Sequence, residues 1–260
     1  MRVRIALAIC AAAVALGVPG AGAEDARPAE RRSGFEDMSP GTQAMQRDDT
    51  ANPGMLWVEE GEALWNRKEG AAGAACADCH GAAAGSMRGV AAKYPAFDPA
   101  GSRPIDLQGR VNRCRETHQG AAPLPWESQE LLALTGFVAH QSRGMPITAD
   151  DPRLAPFRDR GRRIFEARRG QLDLSCAQCH DANAGARLAG NVIPQGHPTG
   201  YPLYRLEWQG LGSLQRRLRN CMAGVRSEPY AFGSEALVEL ELFLMSRADG
   251  MALETPAVRP

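Results

Sequence analysis

Apolar residues along the chain fall into three kinds of pattern. The first is a run from Ile5 to Val18, preceded by Arg2 and Arg4 and followed by the small residues Ala21, Gly22 and Ala23 before the polar Glu24. That is the layout of a secretory leader cleaved after Ala23, and the run is too short to span a bilayer. Cys10 belongs to this leader, because Ile9 is bulky where lipoprotein processing requires a small residue. The second pattern is helical. GEALWNRKEG at 61–70 and GRRIFEARRG at 161–170 place Leu64-Trp65 and Ile164-Phe165 at matching positions between matching glycines, and each predicts an amphipathic helix. The third is a pair of closing segments, Ser128 to Ser142 and Ser234 to Ser246, each opening on a serine suited to N-capping. No long strand is evident, and SRGMPITADDPRLAP at 142–156 has the prolines and acids of a linker. The pattern predicts a mainly α protein with long connecting loops.

The same patterns occur twice. LQGRVNRC ending at Cys114 matches LQRRLRNC ending at Cys221, with Leu, Gln, Arg and Cys in register. After the leader, 1–23, the chain therefore divides into two copies of one unit, an N-terminal domain at 24–150 and a C-terminal domain at 151–260. Aromatic residues make up only 6% of the chain, too few to fill two cores with side chains alone, so a large apolar cofactor suits the composition. Removing Arg2 and Arg4 with the leader leaves 28 basic against 30 acidic residues, a balance that speaks against nucleic acid as a partner. Nothing in the mature segment predicts membrane insertion.

Each copy carries C-x-x-C-H: CADCH at 76–80 and CAQCH at 176–180, 100 residues apart. In this motif two thiols add to the vinyl groups of a porphyrin and the adjacent histidine ligates the iron. A thioredoxin-like pair would need a surrounding strand-turn-helix pattern, and a zinc site is poorly served by histidine directly after the second cysteine. The expectation is two covalently bound haem c groups, on Cys76, Cys79 and His80 and on Cys176, Cys179 and His180.

Of seven cysteines, one lies in the leader and four belong to the haem motifs, which leaves Cys114 and Cys221. A disulfide is the bland reading in an oxidising compartment. Their equivalent places in the two repeats favour instead a role at each copy's own haem, as the second axial ligand. Met145 and Met251, which recur after SRG and SRADG, are the strongest rivals, ahead of His118, His140 and His197, none of which has a partner in the other repeat. In RRLRNCMAGVR at 216–226 the thiol sits among four arginines. Arg217 precedes Cys221 by four residues, so on a helix the two share a face. Arg110 and Cys114 have identical spacing, yet Asp106 and Glu116 offset the arginines there, whereas only Glu207 opposes Arg205, Arg216, Arg217, Arg219 and Arg226. The C-terminal site is the better anion funnel. Arg219 is expected to be solvated or paired with an acid.

Two C-x-x-C-H units of this size, each followed by a helix ending in Arg-x-x-x-Cys, and above all RRLRNCMAGVRSEPY at 216–230, resemble the SoxA family of dihaem cytochromes of bacterial sulfur oxidation. The resemblance spans the mature chain nearly end to end. It implies a periplasmic L-cysteine S-thiosulfotransferase that works as a heterodimer with the monohaem cytochrome SoxX. That enzyme joins thiosulfate oxidatively to a cysteine of the carrier protein SoxY, giving a cysteine S-thiosulfonate and two electrons for a c-type cytochrome. It further implies that the C-terminal haem is the active one, with His180 and Cys221 as its ligands. Cys221 is the residue that carries a persulfide in the family, and Arg217 the anion-binding group. The N-terminal haem, with His80 and Cys114, is implied to be remote from the chemistry. Arginine is chemically apt for the task, since its planar, permanently charged donors match the S-O₃ end of the thiosulfate dianion, and cations beside a thiol favour thiolate.

Two other classes compete. A dihaem electron-transfer cytochrome without chemistry of its own needs only the haems and suits methionine ligation. A dihaem peroxidase needs an open iron position and a calcium site, and no acidic cluster suited to calcium is evident.

Overall fold

The computed structural model describes residues 31–260; the leader, with Cys10 and the cleavage point after Ala23, lies outside the described residues. In chain order the first repeat contains α1 (Pro40–Arg47), α2 (Met55–Asn66), α3 (Cys76–His80), α4 (Ala83–Ser86), β1 (Ala96–Asp98), β2 (Arg103–Ile105), α5 (Leu107–Cys114) and α6 (Gln129–His140). The second contains α7 (Ala155–Glu166), α8 (Cys176–His180), β3 (Arg187–Leu188), β4 (Asn191–Val192), β5 (Leu203–Arg205), β6 (Gly210–Gly212), α9 (Leu214–Gly224), α10 (Glu235–Arg247) and β7 (Val258–Arg259). The architecture is mainly α, with two cytochrome c-like segments in tandem. The strands are two or three residues each, pairing as β1-β2, β3-β4 and β6-β5-β7.

The closing helices form as their caps predict: the Ser128 hydroxyl accepts from Leu131 N–H and the Ser234 hydroxyl from Leu237 N–H. The two amphipathic helices begin and end earlier than the 61–70 and 161–170 patterns predict, closing at Asn66 and Glu166. Their ends are set by Gly70 and Gly170, at φ +65° and +68°, where the chain reverses so that Glu69 bridges Ala74 and Arg169 bridges Leu174.

Within each repeat the opening and closing helices cross at a glycine. A Cβ on Gly61 would lie 2.1 Å from the carbonyl oxygen of Ala133 on α6, and one on Gly161 would lie 1.9 Å from that of Glu239 on α10. The backbones thus touch directly, and the apolar side chains flanking the contact close a core around each haem motif. In the first repeat Val58, Trp65, Ala83, Phe137 and Val138 pack with Cys76 and Ala77. In the second, Phe165, Met222, Leu237, Leu240 and Leu244 pack with Cys176 and Ala177.

Two local differences break the repeat. From the haem-motif histidine to the next Tyr-Pro the first repeat needs 14 residues (His80 to Tyr94) and the second 21 (His180 to Tyr201), so the second carries seven extra residues, among which lies the β3-β4 hairpin. After Cys114, α5 runs into a π-helical turn, Arg115–Gln119, whereas α9 passes Cys221 as continuous α-helix. A π turn accommodates one extra residue.

The segment 142–156, which reads as a linker, is in part a seam between the repeats. Ile147 N–H donates to the Met251 carbonyl (2.9 Å), Leu253 N–H to the Met145 carbonyl (2.9 Å), and Pro146 bridges Ala252. Ile147 is fully buried among Ala91, Ala139, Met245, Ala248 and Leu253, with Met251 against them. Arg32–Pro260 forms a single compact unit.

Candidate haem and thiol sites

Each C-x-x-C-H motif is a single helical turn held at its start. On α8 the Ser175 hydroxyl accepts from Gln178 N–H (3.2 Å) while the Gln178 side chain accepts from Ser175 N–H (2.8 Å); on α3 the Asp78 carboxylate accepts from Ala75 N–H (2.8 Å). The first thiol of each motif, Cys76 or Cys176, packs against the apolar core of its repeat, while Cys179 is half-buried and Cys79 exposed. Burial pushes the Cys176 thiol up to about 11 and raises that of Cys76, as expected where an apolar slot surrounds them.

His180 is more closely fixed than His80. Its Nδ1 lies 2.7 Å from the Pro194 carbonyl oxygen, a bond that orients the ring and leaves Nε2 for a ligand, the usual arrangement for a metal-bound histidine. A Cβ on Gly196, which sits at φ +73°, would approach the His180 ring to 3.3 Å. Pro194 and Gly196 lie between His180 and Tyr201, a segment seven residues longer than its counterpart in the first repeat, and Arg247 ties that loop to α10 through Asp181 (2.6 Å) and the Gln195 carbonyl (3.1 Å). Burial lowers the His180 pKa, which favours the neutral imidazole a metal requires. His80 is exposed, its ring 5.6 Å from that of Trp65, whose Nε1 donates to the Gly81 carbonyl (3.1 Å). In the second repeat two half-buried thiols one turn apart, a following histidine with one nitrogen anchored and a glycine against its ring fit a haem c.

The two lone thiols, Cys114 and Cys221, close α5 and sit near the end of α9. No disulfide joins any of the six described cysteines. Cys114 lies close enough to Cys79, and Cys221 to Cys176, for their charges to be felt, so each lone thiol is near the haem motif of its own repeat. Arg110 and Cys114 lie one turn apart on α5, and Arg217 and Cys221 one turn apart on α9. At Cys114 burial outweighs the neighbouring Arg110 and Arg113 and raises the thiol pKa, against the expectation that arginines nearby favour thiolate. The methionine rivals sit on the inter-repeat seam, with Met145 against Gly89 and Met251 in the seam core. His118 lies in the π turn, His140 closes α6, and His197 Nδ1 meets the Arg32 carbonyl (2.8 Å).

The offset to the arginines at Cys114 does not come from Asp106 or Glu116. Asp106 caps α5 by accepting from Gly109 N–H and accepts from Gln215 Nε2 (2.9 Å). The neutralising group is Asp98, at the end of β1, which is 2% exposed and pairs with Arg110 (3.1 Å) and Arg113. In the second repeat Arg219 is not solvated: it donates to the Tyr230 carbonyl and stacks on Phe232 at 4.4 Å. Arg216 stacks on Trp208 at 4.2 Å. Arg226, at φ +57°, occupies the left-handed place that Gly120 fills in the first repeat, and its carbonyl accepts from Gln171 N–H.

Sequence reasoning overlooked two tyrosines. Tyr94 and Tyr201 each precede the lone thiol by 20 residues and each is followed by a proline. Tyr94 pairs with Arg110, and Tyr201 lies under the charges of Arg217 and Cys221; burial pushes Tyr201 up to about 12. The signal was present as a Tyr-Pro pair in constant register with Cys114 and Cys221.

The family model for the SoxA/TsdA cytochrome c domain matches residues 60–147 and again 160–253. The chain is 40% identical over 221 residues to the L-cysteine S-thiosulfotransferase subunit SoxA of Pseudaminobacter salicylatoxidans, covering 84% of this chain and 77% of the relative. This chain belongs to the SoxA family. The SoxA of Rhodovulum sulfidophilum is 38% identical over 88% of this chain and 80% of its own length. The crystal structure of SoxXA from P. pantotrophus superposes with a TM-score of 0.85 at 33% identity, over 88% of this chain and 87% of that one. The SoxA match spans both repeats, in line with the sequence resemblance. Among the described residues no helix is long and apolar enough to cross a membrane.

Proposed function

We propose that this chain is the SoxA subunit of a periplasmic L-cysteine S-thiosulfotransferase. In this reading it carries two covalent haem c groups, one in each of the domains 24–150 and 151–260, and works in complex with the monohaem cytochrome SoxX. The reaction bonds the sulfane sulfur of thiosulfate to the cysteine sulfur of the carrier SoxY, with loss of the thiol proton and of two electrons to a c-type cytochrome. Haem supplies the redox centre that accepts electrons one at a time.

The chain's own residues divide the remaining work. Cys176 and Cys179 would anchor the C-terminal haem, His180, oriented by Pro194, would ligate its iron, and Cys221 would be the second protein ligand. Cys76, Cys79, His80 and Cys114 hold the N-terminal haem in the same way. Arg217 binds the sulfonate end of thiosulfate and presents the outer sulfur toward Cys221. The observation that carries the reading is that Arg217 and Cys221 share one face of α9, one turn apart, with Arg217 near enough to His180 and Cys221 near enough to Cys176 for their charges to be felt.

The test is to incubate the complex with thiosulfate, the carrier protein and an oxidised c-type cytochrome, and to weigh the intact carrier. A thiosulfonate adduct on the carrier cysteine, with two cytochromes reduced per adduct, is the expected result. Electron exchange without any adduct would reduce the chain to a dihaem electron carrier.

A further inference from the structure

The two hairpins preceding the lone thiols superpose residue for residue in sequence. Ala96, Asp98, Arg103 and Ile105 of the first repeat correspond to Leu203, Arg205, Gly210 and Gly212 of the second, all at an offset of 107, the same offset that relates Tyr94 to Tyr201, Arg110 to Arg217 and Cys114 to Cys221. At the last residue of the leading strand the charge is therefore inverted: Asp98 in the first repeat, Arg205 in the second. In the first repeat that carboxylate pairs with Arg110, the counterpart of Arg217, and with Arg113. In the second, Arg205 adds a like charge beside Arg217, and burial followed by the Arg217 charge lowers its pKa.

Arg205 is not consumed by internal pairing. Its side chain is 13% exposed; one terminal nitrogen meets Glu207, itself 66% exposed, at 3.1 Å, and the guanidinium lies 5.1 Å from the Trp208 ring. Its Nε is buried with no hydrogen-bond partner among the described residues. A buried N–H without an acceptor costs stability, and two guanidinium groups in mutual repulsion raise that cost, unless an anion joins them. The buried Tyr201 lies near enough to Arg217, Cys221, Arg205 and Arg259 to feel the charge of each.

We propose that Arg205 is a second substrate-binding residue: with Arg217 it forms a two-arginine cradle for the oxygens of a sulfur oxyanion, and the choice of Arg or Asp at this strand end decides which of the two thiol sites takes a dianion. The proposal rests on the thiosulfate reading above. It also accounts for why two sites with the same Arg-x-x-x-Cys spacing differ. In the first, the cation is satisfied internally by Asp98, and in the second it is left for substrate.

The test uses the complex, with steady-state kinetics in thiosulfate and calorimetric titration of thiosulfate in the absence of carrier. Arg205→Gln is expected to raise KM and Kd at least about tenfold, the loss of one charge-assisted contact, with a smaller fall in kcat, unchanged haem spectra and a melting temperature no lower than the parent's. Arg205→Lys is expected to recover part of the affinity, and Arg205→Asp to lose more than the glutamine variant by pairing with Arg217 as Asp98 pairs with Arg110. Parental KM and Kd in Arg205→Gln, alongside a clear loss in Arg217→Gln, would overturn the role of Arg205 and leave the thiosulfate reading intact. Parental values in both variants would instead overturn the thiosulfate reading.

Discussion

His180 Nδ1 lies 2.7 Å from the carbonyl oxygen of Pro194, and that carbonyl belongs to the His180–Tyr201 segment, seven residues longer than its counterpart in the first repeat. The hydrogen bond fixes the ring plane, and a carbonyl acceptor makes the opposite nitrogen more electron-rich as a ligand. Gly196 walls the same ring, and any β-carbon there meets it at 3.3 Å on a backbone that disfavours L side chains. Gly196→Val should therefore tilt His180 and shift the visible and EPR signature of one haem while leaving the other unchanged. Equal perturbation of both haems would show that the loop has no specific hold on His180.

The two helix crossings make a stability prediction that is independent of any chemistry. Gly61 and Gly161 leave no room for a methyl group, with backbone carbonyl oxygens 2.1 Å and 1.9 Å from the would-be Cβ. Relief requires the helices to separate rather than a side chain to turn. Each Gly→Ala change should cost about 3 kcal/mol, the upper end of overpacking. The double variant should lose close to the sum, since the two crossings lie in different repeats. Denaturant unfolding of the holo-protein checks this, and a cost under about 0.5 kcal/mol at either site would contradict the crossing geometry.

Much of this was legible in the sequence and some was not, for definable reasons. The haem motifs, the capped closing helices and the Arg-x-x-x-Cys segments are local patterns, and each forms at the predicted place. The linker reading of 142–156 fell short because Ile147 acquires its burial from 245–253, a partner that no local pattern reveals. Asp98 was missed as the counter-ion of Arg110 because it lies 12 residues upstream on a strand of three residues, too short to leave a periodic signal. Arg219 looked solvated because its partners, the Tyr230 carbonyl and the Phe232 ring, lie beyond the end of its helix.

A pair of carboxyl groups between the repeats should give stability a particular pH dependence. Gln215 Nε2 bridges Asp106 (2.9 Å) and Glu241 (3.3 Å) in a small cavity that also meets Tyr94 and Tyr201. Burial raises both, and the Asp106 charge adds to the shift of Glu241, which rises to about 8. A carboxyl with a raised folded pKa holds a proton that the unfolded chain has already released, so its contribution is complete below the unfolded value near about 4.3 and fades as pH rises toward 8. Unfolding free energy should fall between pH 5 and 8, and Glu241→Gln should flatten that slope. An unchanged slope in the variant would place the titration elsewhere.

The last prediction separates the two thiols. Cys114 and Cys221 occupy equivalent positions, each one turn beyond an arginine and near its own haem motif, so replacing either by methionine keeps a soft sulfur ligand at the same place. The surroundings differ: Arg110 beside Cys114 is tied to Asp98, while at the equivalent strand end near Arg217 stands Arg205, to which the hairpin's acid, Glu207, is paired. Cys221→Met should therefore abolish thiosulfate-dependent turnover with haem content intact, and Cys114→Met should leave most of it. Arg217→Ala should fall between them, with activity down at least about tenfold from loss of a charge-assisted contact of about 1.5 to 3 kcal/mol. Steady-state assays with the carrier protein and an electron acceptor, beside haem stoichiometry by intact mass, measure all three. Equal losses at Cys114 and Cys221 would mean that the charge inversion does not select the working site, and full activity in Cys221→Met would remove that thiol from the reaction.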